Sequence, residues 1–154
     1  MSALAATGAG FLMAVLWFDL MFDVQIRRFS GGATPPEVMA SISAYYRRVT
    51  TEARPMSRLI TVVMLVTLGA IAAEIFTGSV SRWMALPSLG LTLGAIALAA
   101  VRTVPNAVRL GAATDSADVQ ARLARSIYRD HLLFFAAMVL VAGLQLSAHA
   151  WPAA

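Results

Sequence analysis

The chain has no cysteine, and none of its 154 residues is a lysine. Without cysteine, a disulfide, a thiolate metal site, an iron–sulfur cluster and a cysteine nucleophile are all excluded. Charged residues make up only 13% of the chain, whereas 59% of the residues are hydrophobic and the mean hydropathy is +0.73. A soluble domain has about a quarter of its residues charged. The composition therefore excludes an ordinary soluble enzyme domain and indicates an integral membrane protein.

Motifs for nucleotide binding and nucleophilic catalysis are also missing. Gly8-Ala9-Gly10 lacks the strand that precedes a dinucleotide fingerprint, and no Gly-x-Ser-x-Gly elbow is present. The two histidines, His131 and His149, lie about 27 Å apart along one predicted helix, which excludes a bis-histidine haem within the chain. We therefore predict no metal and no cofactor. The net charge of +4 does not indicate nucleic acid, because the arginines bracket apolar runs and do not gather on one face.

Four apolar stretches are long enough to cross a bilayer, which takes about 20 residues per helix. They cover about residues 3–26, 55–77, 83–104 and 128–148. We predict an all-α protein with a single transmembrane domain, residues 1–154, that folds as a four-helix bundle.

The arginines predict how these spans are oriented. Eleven of the twelve lie around the two longer connections, and only Arg82 lies in the short loop between spans two and three. Basic residues are enriched in cytoplasmic loops. We therefore expect both longer connections in the cytoplasm, both termini on the other side, and a location in the cell (inner) membrane.

Both cytoplasmic connections are predicted to contain amphipathic helices, at about residues 35–50 and 116–127. Thr34-Pro35-Pro36-Glu37 combines a capping box with a favoured proline at the first helical position. Pro105 is expected to break the end of span three, and Asp115 or Ser116 to cap the second helix.

Ionisable residues within the spans are the candidates for chemistry, because they are costly in a membrane. Asp19 and Asp23 share one face of span one, Arg102 ends span three, and Asp130 and His131 open span four. Their common depth predicts a polar pocket at the cytoplasmic side. In this pocket, the catalytic residues would be His131, as the base, together with Asp130 and Asp19. The substrate would be bound by Arg102, Asp23 and Arg58. The alternative is that these charges only neutralise one another.

Two further contacts are predicted. Gly90-x-x-x-Gly94 in span three is a small-residue face typical of close helix packing. Glu74, near the far end of span two, is expected to pair with Arg82 across the short loop.

Two motifs resemble those of the anthrone-oxygenase-like family of small four-span membrane proteins. They are Arg102-Thr103-Val104-Pro105-Asn106 at the end of span three and Tyr128-Arg129-Asp130-His131 at the start of span four. The resemblance implies a four-span bundle and a cofactor-independent oxygenation of a polyketide-like aromatic, with His131 as the base and Asn106 in the site.

Two functions are the main candidates, and a third, a small transporter, is weaker because no broken helix is predicted in the middle of a span. The first is an accessory or structural subunit that packs against a larger respiratory, photosynthetic or transport complex. The alternative is an oxygenase-like enzyme that acts on a hydrophobic aromatic. The expected partners are the lipid bilayer, a larger membrane-protein complex or a second copy of the chain, and, for the enzyme, a hydrophobic small molecule.

Overall fold

The computed structural model describes residues 1–29 and 34–150, with side chains omitted at residues 54, 149 and 150, and the regular elements of this part are all helical. Helix α1 (Ser2–Asp23) continues into a 3₁₀ helix (Val24–Phe29), and α2 (Pro36–Arg47) continues into a π-helical segment (Arg48–Glu52). The later elements are α3 (Arg54–Thr77), α4 (Arg82–Leu98), a second π-helical segment (Ala99–Thr103), α5 (Val104–Ala112) and α6 (Ala117–Ala150).

Four helical runs are long and apolar enough to cross a membrane, as predicted. They are Ser2–Phe29, Pro55–Thr77, Arg82–Ala112 and Ala117–Ala148. Helix α1 packs against α3 and α6, and α4 packs against the same two helices. The four long helices therefore form an all-α bundle in which α1 and α4 lie diagonally opposite, which confirms the predicted fold class.

The bundle has two distinct ends. At the arginine-rich end, α2 packs against α5, and a buried cluster that includes Ile26, Ile42, Tyr46, Leu110 and Ile127 joins both helices to α6. At the opposite end, the connection between α3 and α4 covers a smaller cluster of Val80, Ala85 and Ala148. In the middle of the bundle, four of the eight buried residues of the core cluster are alanines, which allow the helices to approach closely.

Glycine at one position lets α2 and α5 come together. A Cβ at Gly111 would lie 2.7 Å from the backbone nitrogen of Arg47 and 2.9 Å from its Cα. No side chain fits between two backbones at that distance, so α5 can seat on α2 only where it carries a glycine.

A helix forms where the first surface helix is predicted, but its predicted cap is wrong. Helix α2 begins one residue later than expected, with Pro35 as the N-cap and Pro36 at the first helical position, and no side chain caps it. The hydroxyl of Thr34 is buried and has no hydrogen-bond partner among the residues that the structure describes. Pro35 has the extended backbone that a residue before proline prefers, so the helix starts after the second proline.

The predicted break at Pro105 is also wrong. The helix that contains span three continues through a π-helical segment into α5, with Pro105 in the first turn of α5. A π-helical turn shifts the hydrogen-bond pattern by one residue. The helix can thus pass a proline, which has no N–H to donate.

The second surface helix does not exist as a separate element. Residues 116–127 were expected to form it, but from Ala117 onward they belong to α6, which runs without interruption to Ala150. No proline lies in this range, and its alanine, leucine and arginine residues favour a continuous helix. The third helical run ends with α5 at Ala112, and residues 113–116 connect it to α6.

Candidate functional site

Three elements meet at a buried carboxylate at the arginine-rich end. Asp23, the last residue of α1, accepts a hydrogen bond from the Tyr46 hydroxyl of α2 at Oδ1, over 2.5 Å. Its Oδ2 lies 2.7 Å from Nδ1 of His131 on α6. The residues are only 1%, 2% and 7% exposed for Asp23, Tyr46 and His131, respectively. This carboxylate therefore ties α1, α2 and α6 together in an environment that excludes water.

A second tyrosine–aspartate pair lies one helical turn away. The Tyr45 hydroxyl donates to Oδ1 of Asp19 over 2.5 Å, and the Tyr45 ring stacks on Phe22 with centroids 4.1 Å apart. Asp19 and Asp23 share one face of α1, so two adjacent tyrosines of α2 reach one acid each. We call the two tyrosine–aspartate pairs and His131 the Asp–Tyr–His network; its members are Asp19, Asp23, Tyr45, Tyr46 and His131.

Burial raises the pKa of the Tyr46 phenol well above its ordinary value, and the neighbouring Asp23 carboxylate raises it further. The pKa of Tyr45 is raised for the same reasons, by burial first and by Asp19 next. Both phenols therefore stay protonated at physiological pH. Each remains a hydrogen-bond donor to its carboxylate.

Asp130 is satisfied by a different set of groups. The guanidinium of Arg102 binds it with two nitrogens, one of which, Nε, lies 3.0 Å from Oδ2. The Thr103 hydroxyl donates to the same oxygen over 2.8 Å. Since Asp130 is 1% exposed, this ion pair fastens the π-helical segment of span three to α6.

The structure therefore divides the predicted pocket into two networks. Asp19, Asp23 and His131 belong to one, and Arg102 and Asp130 belong to the other. In the part of the chain that is described, no polar contact joins Arg58 or Asn106 to either network. Arg58 is exposed at the start of α3, and Asn106 is half-buried in α5.

Two cavities lie near these residues. One has a volume of about 290 Å³ and lies at the arginine-rich end between the end of span three and α6. The other is an apolar groove of about 260 Å³ between α4 and α6, lined in part by Phe134 and Ala137. His131 lines neither of them.

Gly90 and Gly94 lie on the outer surface of the bundle, in the apolar groove. Both are exposed, and a Cβ added at either would meet no atom within 4 Å. The predicted small-residue face thus faces outward. Within residues 1–29 and 34–150, no other helix packs on the two glycines.

The predicted pair of Glu74 and Arg82 is wrong. Arg82 is exposed at the start of α4, whereas Glu74 is fully buried. Glu74 faces the amide of Gln145, which is also fully buried. No hydrogen bond of good geometry forms at either side chain within the described ranges. Glu74 points into the bundle and so cannot reach a residue at its surface.

Among the side chains that the structure describes, which do not include His149, no group of three histidine, cysteine or acidic residues is arranged to hold a metal ion. The arrangement is suited instead to hydrogen bonding between helices. Its most directional element is the carboxylate of Asp23, which fixes the orientation of the His131 ring.

Sequence reasoning missed the hydrogen-bonding roles of Tyr45, Tyr46 and Thr103. The signal for the tyrosines was present, because adjacent residues at the amphipathic face of α2 can reach acids one turn apart on α1. The role of Thr103 carries no such signal, since it depends on the π-helical geometry of its segment.

The chain matches no protein-family model, no curated protein and no solved structure. The resemblance to the anthrone-oxygenase-like family therefore stays a prediction.

Proposed function

We propose that this protein is an accessory subunit of a larger membrane complex and that a transmembrane helix of its partner packs into the groove between α4 and α6. The observation that carries the proposal is the open face at Gly90 and Gly94, where no atom lies within 4 Å of an added Cβ. Small residues let helix backbones approach closely, and such contacts hold helices together in lipid.

The shape of the groove supports a helix as its occupant. Both helices contribute small and larger apolar residues to it, and the two glycines of its lining lie on α4. The groove is lined by Gly90, Leu91, Gly94, Ala95, Leu98, Leu133, Phe134 and Ala137. Residues 90, 94 and 98 lie four apart, so the groove extends over two helical turns, or about 12 Å along the axis.

The polar networks are better suited to stability than to turnover. A catalytic base must lie within hydrogen-bond reach of its substrate, whereas His131 is 7% exposed and lines neither cavity. Its Nδ1 is occupied by Asp23. The network therefore stabilises the packing of α1, α2 and α6 against one another.

The proposal is tested by filling the groove. Gly90→Leu and Gly94→Leu place bulky side chains where the partner helix would lie. We expect the variants to fold normally but to run as the free subunit when membranes are solubilised in mild detergent and separated by native electrophoresis. The matched control is Gly69→Leu, since Gly69 is an exposed helix glycine with equally open surroundings on α3.

Two results would contradict the proposal. One is retention of the groove variants in the same complex as the parent protein. The other is a parent protein that migrates alone or only with copies of itself.

We also propose that the arginine-rich end faces the cytoplasm, in the cell (inner) membrane, with both termini outside. The support is the distribution of arginine, with eleven residues near the two longer connections and one in the short loop. A reporter active only in the cytoplasm, fused to Ala154, should give no signal. Strong activity would overturn this orientation.

The alternative is an oxygenase-like enzyme, and one observation favours it. A carboxylate that binds Nδ1 of a histidine orients the ring, as in catalytic triads, and leaves Nε2 to take a proton. Asp23 and His131 have this arrangement, at 2.7 Å. The substrate would be a hydrophobic aromatic with an acidic C–H.

The enzyme alternative predicts that the purified protein consumes oxygen with an anthrone-type substrate. His131→Gln should then lower the rate by about 10²–10⁴-fold, the usual contribution of a positioned base. A parent protein without this activity would reject the alternative.

A further inference from the structure

The cavity at the arginine-rich end is lined almost entirely by charged side chains. It measures about 290 Å³ and lies between α6 and the π-helical segment that ends span three. Four of its six lining residues are arginines, and the full lining is Arg102, Arg122, Arg125, Ser126, Arg129 and Asp130. Its volume is at the lower end of the range for small-molecule sites. The cavity thus suits a small anionic group.

The spacing on α6 directs three of these arginines toward the same place. Arg122, Arg125 and Arg129 follow one another at intervals of three and four residues, so they share one face of the helix. They lie over about 10 Å of its length. Uncharged residues follow from Leu132 to the end of the span. The cavity therefore lies at the boundary between the apolar bundle and the polar headgroup region.

The charges in the cavity do not cancel. Asp130 is its one carboxylate, and it is bound by Arg102 and by the Thr103 hydroxyl. Arg125 donates to the backbone carbonyl of Phe29, a neutral acceptor, over 3.5 Å. A formal charge of +3 is left, because four arginines face one acid.

A phosphate group fits this charge and geometry. The planar fork of arginine donates two parallel hydrogen bonds to phosphate oxygens, and several arginines can share one phosphate. Basic pockets between transmembrane helices at the cytoplasmic side bind the headgroups of anionic lipids. Ser126 adds a neutral hydroxyl donor to the lining.

We propose that this cavity is a binding site for a phosphate group, carried by an anionic phospholipid headgroup or present as a soluble phosphate. Arg122 and Arg129 are exposed side chains that close on the phosphate, while Arg102 is held in place by Asp130 and shapes the wall. The site is separate from the apolar groove, whose lining shares no residue with it.

The test compares two variants that lose the same charge. Arg122→Gln/Arg129→Gln removes two positive charges from the cavity. Arg28→Gln/Arg48→Gln removes two from exposed positions at the same end that do not line it. Circular dichroism first verifies that both retain their helix content.

Purified protein is mixed in detergent with phosphatidylglycerol, with phosphatidylcholine or with inorganic phosphate. Native mass spectrometry measures the retained lipid, and the melting temperature reports stabilisation by the ligand. We expect the parent and the control variant to retain phosphatidylglycerol over phosphatidylcholine. The cavity variant should retain about ten- to a hundredfold less, since each hydrogen bond to a charged group is worth about a factor of ten.

The remaining outcomes are also decisive. Stabilisation by inorganic phosphate, but not by phosphatidylglycerol, would identify a soluble phosphate as the source if the cavity variant abolishes it. Equal losses in the cavity and control variants would overturn the proposal, because they would indicate general attraction to positive charge. Absence of any preference for phosphatidylglycerol together with no effect of phosphate would overturn it as well.

Discussion

The Asp–Tyr–His network and the apolar groove both include residues of α6, but they differ in almost every physical respect. His131 is buried and hydrogen-bonded to a partner from α1, whereas Gly90 and Gly94, across the groove from Phe134, face nothing within 4 Å. Both carboxylates of the network accept a hydrogen bond from a tyrosine hydroxyl. The groove is open at both glycines. We infer that the network maintains the fold and that the groove carries the function.

The most disruptive test of this comparison removes the central carboxylate. Asp23→Ala leaves both His131 and Tyr46 buried without their partner, and breaking a buried pair costs about 3–5 kcal/mol. We expect a loss of about this size in the free energy of unfolding, measured by denaturant titration in mixed micelles. The exposed Asp118→Ala should cost less than about 1 kcal/mol. Equal effects of the two substitutions would contradict a fastening role for Asp23.

Glycine to alanine substitutions sharpen the contrast between filled and open surfaces. At Gly111, the new methyl group would lie 2.7 Å from the backbone nitrogen of Arg47. Helices α2 and α5 must then separate, which costs about 1–3 kcal/mol. Gly90→Ala meets no atom and should leave the free energy of unfolding unchanged or slightly higher. A large loss at Gly90 would show that the groove is packed within the chain.

Glu74 offers a test of opposite sign at the other end of the bundle. Its carboxylate is buried without a hydrogen bond among the described residues, and such a group costs about 1–3 kcal/mol. The polar neighbour of Glu74 is the buried amide of Gln145, so Glu74→Leu/Gln145→Leu, which removes both polar groups, should raise the free energy of unfolding by a similar amount. Glu74→Gln, which keeps a polar group in the same place, should raise it less. A lower free energy of unfolding in the double leucine variant would mean that Glu74 and Gln145 stabilise the contact between helices, as Asp23 does.

The smallest effect concerns the two phenols. Their pKa values are raised in the folded protein, by burial and then by the neighbouring carboxylates. The stability that they contribute is therefore fully present below pH about 10, the ordinary tyrosine pKa, and declines as the pH rises further. Tyr45→Phe/Tyr46→Phe should cost about 1 kcal/mol per hydrogen bond at neutral pH.

The difference in the free energy of unfolding between the parent and the double phenylalanine variant should decrease in alkaline solution. Unfolding titrations at neutral and strongly alkaline pH measure it. A difference that stays constant as the pH rises well above about 10 would contradict the role of the phenols as hydrogen-bond donors.

Much of the fold was predictable from the sequence because membrane spans are read from length and hydropathy alone. The meeting of Asp23 and His131 was predictable for a related reason. Depth along a helix follows from residue number, so groups at one depth in neighbouring spans can be matched.

The sequence did not predict which side of each helix a residue occupies, facing either the interior of the bundle or its outer surface. A span is apolar on all sides, so periodicity does not distinguish its lipid-facing side from its interior. For this reason Glu74 was paired with Arg82 although it points inward, and the outward direction of Gly90 and Gly94 could not be foreseen. The path of the chain past Pro105 depends on a π-helical turn, which has no clear sequence signal.

The central claim is that the groove, and not the polar network, binds the partner. Because the chain has no cysteine, Leu98→Cys places a single thiol in the groove, and Val62→Cys places one on an exposed position of α3. Thiol cross-linking in native membranes should join Leu98→Cys, but not Val62→Cys, to a second protein. The cross-link should survive the addition of His131→Gln and disappear when Gly90→Leu/Gly94→Leu is added. A cross-link lost with His131→Gln but kept with the two glycine substitutions would contradict the account.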